Sequence, residues 1–362
     1  MTVERVRVES VAAAAPAADA RPTRAAWASM GVSVIVLLAS MVLAIAVGPV
    51  HIGLGEIGST ILSHLPLLDV HTSASPVDQA IIWDVRLPRV VLAALVGAML
   101  SAGGASYQGV LRNSLADPYL LGVAAGAGLG ATVAIIAGAD GSFVLPACAF
   151  VGAVLAVALT YVVAAAGEGR ASGYAIILAG VAVAAMLTAL QTYLQQQNTE
   201  EIRQIYNWIL GSFSVASWSD VRLVLPYIAL SCLVLLGHRR MLDVLRVGGD
   251  EASSLGVHPE RTRLIIVGAA TLGTAAAVSV SGLIGFVGII VPHAVRLAAN
   301  ASYRVVLPVS MVCGAAFLVL ADIVARTVQS PTEVPIGVVT AVVGGPFFLI
   351  VLRSRRTRQS VL

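Results

Sequence analysis

The sequence contains no lysine, since every one of its 22 basic residues is arginine. A phosphate-binding P-loop needs the lysine of its Gly-Lys-Ser/Thr end, so nucleotide hydrolysis by that motif is excluded. A Schiff-base lysine, and with it pyridoxal chemistry, is excluded for the same reason. If this protein works with ATP, a separate chain has to hydrolyse the nucleotide.

Charged residues and cysteines are scarce as well. Charged residues make up 11% of the 362 residues and hydrophobic residues 58%, and the mean hydropathy is +0.92. A soluble domain carries about 25% charged residues, so the composition indicates an all-α polytopic membrane protein. The three cysteines, Cys148, Cys232 and Cys313, stand far apart within apolar runs. That placement is typical of buried thiols and predicts no metal site.

Ten apolar runs follow one another along the chain, each of about 15–25 residues, as a hydrocarbon core of about 30 Å requires. They lie roughly at 27–47, 88–107, 118–138, 143–166, 173–195, 221–238, 263–280, 283–298, 305–324 and 336–352. The sequence thus divides into a transmembrane domain at 27–352 and two tails. Residues 1–26, rich in Ala, Arg and Pro, are predicted to form a disordered cytoplasmic tail, and residues 353–362 form a basic cytoplasmic tail.

The distribution of arginine decides whether 263–298 forms two spans or one long bent helix. With ten spans both termini are cytoplasmic, and all but five arginines lie on that side. The five are Arg86, Arg89, Arg203, Arg222 and Arg326. Nine spans would place the C-terminal "RSRRTR" outside, against the positive-inside rule. The sequence therefore predicts ten spans.

The predicted spans hold almost no ionisable side chains in their interiors, because Asp322, His293 and Arg296 all fall near span ends. Proton- or sodium-driven carriers need such groups at membrane depth, so the pattern favours energy supplied from outside the membrane. The largest cytoplasmic loop, 239–262, fits such a delivery. Its "GGDEASSLGV" predicts a short helix ended by Gly256, and Pro259 suits the first position of the next helix.

Three long stretches carry a resemblance to a known family. They are "RLPRVVLAALVGAMLSAGGASYQGVLRNSLADPYLLGVAAGAGLGA" at 86–131, "SGLIGFVGIIVPHAVR" at 281–296 and "ADIVARTVQSPTEVPIGVVTAVVGGPFF" at 321–348. In this order they resemble the FecCD-type permeases of ABC importers, and the resemblance covers about residues 30–352. It implies the type II ABC importer permease fold, with a translocation chamber at a homodimer interface, in the cytoplasmic (inner) membrane of a bacterium.

The resemblance also implies partners and a cargo. Two ATP-binding cassette ATPase subunits would use ATP and Mg, and an extracytoplasmic substrate-binding protein would deliver the cargo, while this chain would hold no cofactor and bind no nucleic acid. The expected cargo is a bulky metal chelate, first an iron-siderophore complex, with cobalamin or haem as alternatives. An ion-coupled secondary transporter is a distant alternative. A membrane hydrolase using Ser212 and His293 is disfavoured, because the predicted topology puts them on opposite sides.

Three arginines, two in the first stretch and one in the third, match the family's docking residues. Arg86, Arg89 and Arg326 would receive glutamates from the two lobes of the binding protein. On the residues alone, Arg86 and Arg89 are equally consistent with snorkelling caps paired with Asp84.

Two further sets match the family's coupling and gating segments. The ATPase-coupling set, on the pattern G-x-x-x-A-x-x-L-G and its surroundings, is Gly248, Asp250, Ala252, Leu255, Gly256 and Val257. The gating set is Asn113, Ser114, Leu115, Ser172, Gly173 and Tyr174. Ser114 replaces the family's usual proline, which predicts a looser turn, and Tyr174 either narrows the exit or faces lipid headgroups. Candidates for the chamber wall are Met99, Tyr107, Gln108, Gln191, Tyr193 and Gln195.

Overall fold

The computed structural model describes residues 24–48, 50, 52–64, 72–139, 143–168, 173–254, 256, 258–298 and 302–359. Within that part the chain is a bundle of α-helices without a β-strand. The helices are α1 Arg24–Ala46, α2 Leu54–Ser63, α3 Pro76–Ala80, α4 Leu87–Val110, α5 Val123–Ile136, α6 Val144–Glu168, α7 Gly173–Gln197, α8 Ile202–Ile209, α9 Trp218–Val247, α10 Gly249–Ser254, α11 Pro259–Ser281, α12 Val287–Ala298, α13 Tyr303–Thr327 and α14 Ile336–Gln359. Most of the predicted tail 1–26 lies outside the described residues.

In the described part of the chain, seven helices are long and apolar enough to cross a membrane, and three shorter apolar helices accompany them. The shorter ones are α5, α12 and the apolar part of α14, Ile336–Ile350. Together the ten coincide in order with the ten predicted spans, so the prediction of an all-α polytopic membrane protein is confirmed.

The second span begins earlier than its apolar run suggests. Helical structure starts at Pro76, passes through a π-helical stretch at Ile81–Arg86 and continues as α4. Local residues determine this helix start, because the Ser75 hydroxyl accepts a hydrogen bond from Asp78 N–H and Pro76 occupies the first turn. The predicted start at residue 88 is therefore twelve residues late, because Trp83, Asp84 and Arg86 made this helical segment too polar to count as part of a span.

Two predicted spans are interrupted by irregular backbone. The run 118–138 opens with a 3-10 turn at Pro118–Leu121, and Gly122 (φ +86°) separates that turn from α5. The run 283–298 becomes helical only at Val287, after an extended segment that starts at Gly282 (φ +70°). Glycine stands at both of these positions, because it adopts positive φ values without strain, whereas Phe286 (φ +70°) adopts one in the second break as a non-glycine residue.

Close helix contacts are made through glycine on α4. A Cβ at Gly97 would lie 2.2 Å from the Gly314 carbonyl oxygen on α13, and one at Gly104 would lie 2.0 Å from the Gly288 carbonyl oxygen on α12. Neither distance is possible for a real side chain, so α4 approaches both helices backbone to backbone. Such packing is what holds helices together in lipid, where burial of apolar surface gives no driving force.

We expect Gly97→Ala to destabilise the permease by about 1–3 kcal/mol, the usual cost of overpacking a tight contact. Gly237→Ala on α9 is the matched control, because a Cβ there meets no atom within 4 Å and alanine is the better helix former. Thermal unfolding of the purified chains in detergent measures the effect. Equal unfolding temperatures for the two variants would contradict the close α4–α13 contact.

Candidate functional site

The three arginines predicted to dock a partner lie together, where α1 ends, α4 begins and α13 ends. Neighbouring groups hold all three side chains in place. The three arginines are buried: Arg86 is 5% exposed and Arg89 is 8% exposed, and the side chain of Arg326 is 9% exposed. We call Arg86, Arg89 and Arg326, with Asp322 and Glu333, the arginine cluster.

Arg86 and Arg326 hold the carboxyl end of α1. Arg86 Nη1 donates to the carbonyl oxygens of Ile45 (2.6 Å) and Ala46 (3.3 Å), and its Nη2 donates to that of Val50 (2.6 Å). Arg326 Nη2 donates to the Ala44 carbonyl. The last carbonyls of a helix have no partner within the helix and attract cations, so these two arginines act as a C-terminal cap supplied from other helices.

Arg89 lies between two carboxylates. Its Nε and Nη2 donate to Asp322 Oδ1 and Oδ2 at 2.8–3.1 Å. Its Nη1 and Nη2 donate to Glu333 Oε1 (2.7 Å) and Oε2 (2.9 Å). Asp322 also approaches Arg326, with Nε 3.8 Å from Oδ2. This two-sided, bidentate arrangement uses the planar guanidinium fully, which a lysine could not do.

The structure corrects the expectation that Arg86 and Arg89 pair with Asp84. In the described residues no ion pair joins Asp84 to either arginine, and all three guanidinium groups already have partners. Sequence neighbours are poor guides here, because Asp322 and Glu333 lie more than 230 residues from Arg89 along the chain. Docking through Arg86, Arg89 and Arg326 stays a prediction.

The loop after α4 forms a closed turn at the opposite end of that helix. Asn113 Oδ1 accepts from Leu115 N–H (2.9 Å), and Asn113 C=O accepts from Ala116 N–H (3.1 Å). Asn113 itself fixes the turn, in the manner of an Asx turn. The loosening predicted for Ser114 in place of proline stays a prediction.

A cavity of about 700 Å³ opens beside this turn. Three predicted gating residues, Asn113, Ser114 and Tyr174, line it together with Arg263, so two segments some 60 residues apart meet at one opening. Tyr174 is 90% exposed and stands at the first turn of α7, which begins at Gly173. Leu115 does not line the cavity, and Ser172 lies outside the described residues.

A tyrosine that the sequence analysis missed joins the 3-10 turn to the irregular segment before α12. Tyr119 Oη donates to the Ile284 carbonyl and accepts from Ile284 N–H, both at 3.0 Å. Gln108 Nε2 donates to the Gly288 carbonyl (3.1 Å). Both backbone groups of Ile284 in the irregular segment, and the Gly288 carbonyl in the first turn of α12, are thus satisfied by side chains, as backbone groups without a helical partner require within a membrane protein.

Asp117 is a second residue that sequence reasoning missed. It caps the 3-10 turn by accepting a hydrogen bond from Tyr119 N–H (2.8 Å), and it is 8% exposed. Burial raises the pKa of the Asp117 carboxyl to about 6, although the hydrogen bond from Tyr119 opposes the shift. The pair Asp117-Pro118 is a helix-start signal that could have revealed the cap; nothing local signals the burial.

The candidates for the chamber wall divide into three groups. Gln191 and Gln195 on α7 line a cavity of about 410 Å³, which also includes Tyr119, Thr188 and Tyr206. Met99, Tyr107 and Gln108 are wrong as wall residues, because they are at most 2% exposed within the packing of α4. Tyr193 is 57% exposed and does not line that cavity.

The predicted coupling loop has the expected helices. The short helix α10 follows Gly248, Gly256 adopts φ +78°, and Pro259 begins α11, so the interpretation of "GGDEASSLGV" is confirmed. Ala252 is fully buried and its N–H donates to the Gly248 carbonyl (3.0 Å). Asp250 lies within α10, while Leu255 and Val257 lie outside the described residues.

The base of this loop is tied to α13. Asp243 Oδ1 accepts from Tyr303 N–H and Oδ2 from the Ser302 hydroxyl, both at 2.8 Å. The Tyr303 ring lies between Arg246 and Arg296, 5.8 and 5.2 Å from its centroid, which are cation–π distances. These contacts join the base of the loop to α13, so a displacement of the loop can reach α13.

Ser212 and His293, the pair considered for a hydrolase, stand on separate elements. Ser212 bonds Ser214 and the backbone of Ser281, whereas His293 packs edge-on against Phe347 of α14. In the described residues no contact that would let one activate the other joins them.

Comparison with known proteins agrees with this geometry. The model of the FecCD transport family matches residues 36–354. The cobalamin import system permease of Halobacterium salinarum is 38% identical over 354 residues, covering 90% of this chain and 95% of that protein. The hemin transport system permease of Yersinia pestis is 37% identical, covering 77% and 85%. A solved metal-chelate type ABC transporter in an inward-facing conformation superposes with a TM-score of 0.78 at 28% identity, covering 90% and 98%.

The bundle of apolar helices, together with the similarity to a solved ABC transporter, shows a multi-pass membrane permease of the ABC transporter class. Within that class the chain belongs to the FecCD transport family.

We expect Asp117→Asn to stabilise the permease at neutral pH and to leave it unchanged in acid. The pKa of the Asp117 carboxyl is about 6 in the folded protein and about 4 in the unfolded chain. As the pH rises from about 4 to about 6, the carboxyl therefore ionises in the unfolded chain before it does so in the folded protein, and the folded protein loses stability over that range. Asparagine keeps the cap without that loss, so the gain should reach at most about 3 kcal/mol above pH 6.

Unfolding temperatures at about pH 4.5 and about pH 7.5, on either side of the raised pKa, measure this difference. Asp84→Asn is the control, because Asp84 is exposed and its change removes one carboxylate without relieving the burial of a charge. An equal effect of Asp117→Asn at both pH values would contradict the burial of an ionisable carboxyl.

Proposed function

We propose that two copies of this chain form the membrane channel of an ATP-driven importer for a bulky metal chelate. The observation that carries the proposal is the course of α4. Arg89, in its first turn, joins the arginine cluster, and the loop after α4 lines the cavity at Asn113 and Ser114. One rigid helix thus connects a surface suited to a binding protein with an opening suited to a gate.

The orientation follows from the arginine distribution. We place the arginine cluster on the extracytoplasmic side and both termini in the cytoplasm, because the positive-inside rule favours that arrangement. A substrate-binding protein would then dock over the arginine cluster, and two ATPase subunits would bind the coupling loop, in the cytoplasmic membrane of a bacterium. ATP and Mg would be used by the ATPases, since this chain has no P-loop lysine.

The coupling loop would transmit ATPase closure as a rigid-body movement. Its helix α10 is short, and the adjoining part of α9 is fixed to α13 through Asp243. Movement of the loop would therefore pull on α13, which packs against α4 at Gly97 and Gly314. Such displacement of packed helices is a common way of opening and closing a pathway.

The cavity lined by Gln191 and Gln195 supports a chelate as cargo rather than a bare ion. Its polar groups are amides, threonines and tyrosines, without a carboxylate or a guanidinium. The described residues also contain no group of His, Cys, Asp and Glu that could hold a metal ion. Such a wall would contact the organic shell of a chelate and leave its metal coordination intact, which permits release.

We propose an iron-siderophore complex as the cargo, with cobalamin or haem as the alternatives. The relatives named for cobalamin and hemin import are almost equally identical to this chain, so similarity does not choose between those two alternatives. Isothermal titration of the binding protein that stimulates this transporter's ATPase, with ferric hydroxamate, cobalamin and haemin, tests the choice. Saturable binding of ferric hydroxamate alone is the expected result, and binding of either other ligand alone would replace it.

We expect Leu255→Glu with Gly256→Asp to lower ATP-driven uptake in proteoliposomes by more than about tenfold. A loss of about 1.4 kcal/mol of binding free energy between the loop and the ATPase already produces that factor. Placing two charges in an apolar binding cleft of the ATPase would cost more than that. Gln196→Glu with Gln197→Glu adds the same charge to exposed positions at the far end of α7 and should transport normally. Undiminished uptake by the first variant would contradict the coupling role.

A further inference from the structure

The Arg89 guanidinium has almost no free hydrogen-bonding capacity. Of its five N–H groups, those on Nε, Nη1 and Nη2 already serve two carboxylates in a bidentate manner. A third carboxylate, supplied by a docking protein, would find at most one N–H group on Arg89 without a partner. Docking through Arg89 therefore requires that one of the two present carboxylates leaves.

The two carboxylates differ in how easily they can leave. The Asp322 side chain is 2% exposed, lies within α13 and is shared with Arg326. The Glu333 side chain is 33% exposed and lies in the non-helical segment between α13 and α14. Removal of Asp322 would leave buried charges unpaired, which is costly, whereas Glu333 already contacts water and loses little solvation on moving out.

The backbone directly after Glu333 is held at two points. Val334 N–H donates to the Ala325 carbonyl (2.8 Å), and Ile336 N–H donates to the Gly211 carbonyl (3.1 Å). The segment therefore does not have to unfold for the carboxylate to move. A change of side-chain rotamer at Glu333 is enough to expose the outward edge of Arg89.

We infer that Glu333 is an exchangeable carboxylate: it occupies the outward N–H groups of Arg89 in the free permease and yields them to a carboxylate of the docking binding protein. The inference rests on the proposed function, because it assumes such a partner. One carboxylate replaces another on the same guanidinium, so the charge at Arg89 stays balanced throughout. A partner can bind only if its carboxylate reaches Arg89 in as good a geometry as that of Glu333. The exchange therefore contributes more to the specificity of docking than to its affinity.

Docking of the binding protein to the complete transporter in nanodiscs tests the exchange. The probe is the binding protein that stimulates the transporter's ATPase, and the readout is its dissociation constant. Glu333→Gln removes the competing charge and should tighten docking by about fivefold, the factor that corresponds to an ion pair of just under about 1 kcal/mol. A purely structural role for Glu333 predicts the opposite sign, because its loss would disorder the site.

Gln329→Arg is the matched control, because it also adds one positive charge to this surface, at an exposed position, and leaves Arg89 paired. Its effect should vanish between about 0.1 M and about 0.5 M salt, as exposed charges are screened. The gain from Glu333→Gln should persist, since it reflects a vacated contact and not the general field.

Unchanged or weaker docking of Glu333→Gln would overturn the exchange while wild-type docking still supports the proposed function. A gain that equals that of Gln329→Arg and disappears with salt would overturn the exchange as well. Absence of saturable docking by the wild-type transporter would overturn the proposed function, and with it this inference.

Discussion

The pairing of Arg89 with Asp322 and Glu333 is the interaction on which the rest of the structure depends. It joins the start of α4 to the end of α13 and to the segment that leads into α14. A buried guanidinium is tolerable only when its partners are in place, so the pairing fixes how far α4 and α13 can slide past one another. That register brings Gly97 opposite Gly314 and determines the position of Asn113 and Ser114, which follow the far end of α4.

The second constraint is the need to satisfy backbone groups in a setting without water. The chain breaks its helices at two places and then ties the broken segments to one another. Tyr119 serves both backbone groups of Ile284, and Ser212 N–H donates to the Ser281 carbonyl (3.0 Å). These ties make the irregular segments part of the packed bundle, which lets them line a pathway without exposing unpaired N–H and C=O groups to lipid.

Short-range sequence patterns, such as apolar runs and single glycine or proline residues, correctly predicted the features of the fold that such patterns determine. The apolar runs correspond to the ten apolar helices, and Gly256 and Pro259 end and begin helices where expected. The early start at Pro76 was missed because polar residues interrupt the apolar run, although Ser75 and Pro76 form a recognisable cap.

The site was less predictable, because its contacts join residues that are distant in the chain. Nothing near Arg89 indicates that Glu333 will be its partner, and the nearby Asp84 suggested the wrong one. The meeting of Asn113 with Tyr174 was expected only from the family resemblance, and the burial of Asp117 not at all. Sequence periodicity defines which residues face inward, while the pairing of distant charges depends on helix packing that periodicity does not encode.

The most direct measurement is uptake of labelled ferric siderophore, cobalamin or haemin into proteoliposomes that contain this permease, its ATPase and its binding protein. The account predicts accumulation of one of these chelates when ATP is enclosed with the ATPase, and none with a non-hydrolysable analogue, whatever ion gradient is imposed. Accumulation driven by a proton or sodium gradient in the absence of nucleotide would contradict it and would identify the protein as an ion-coupled carrier.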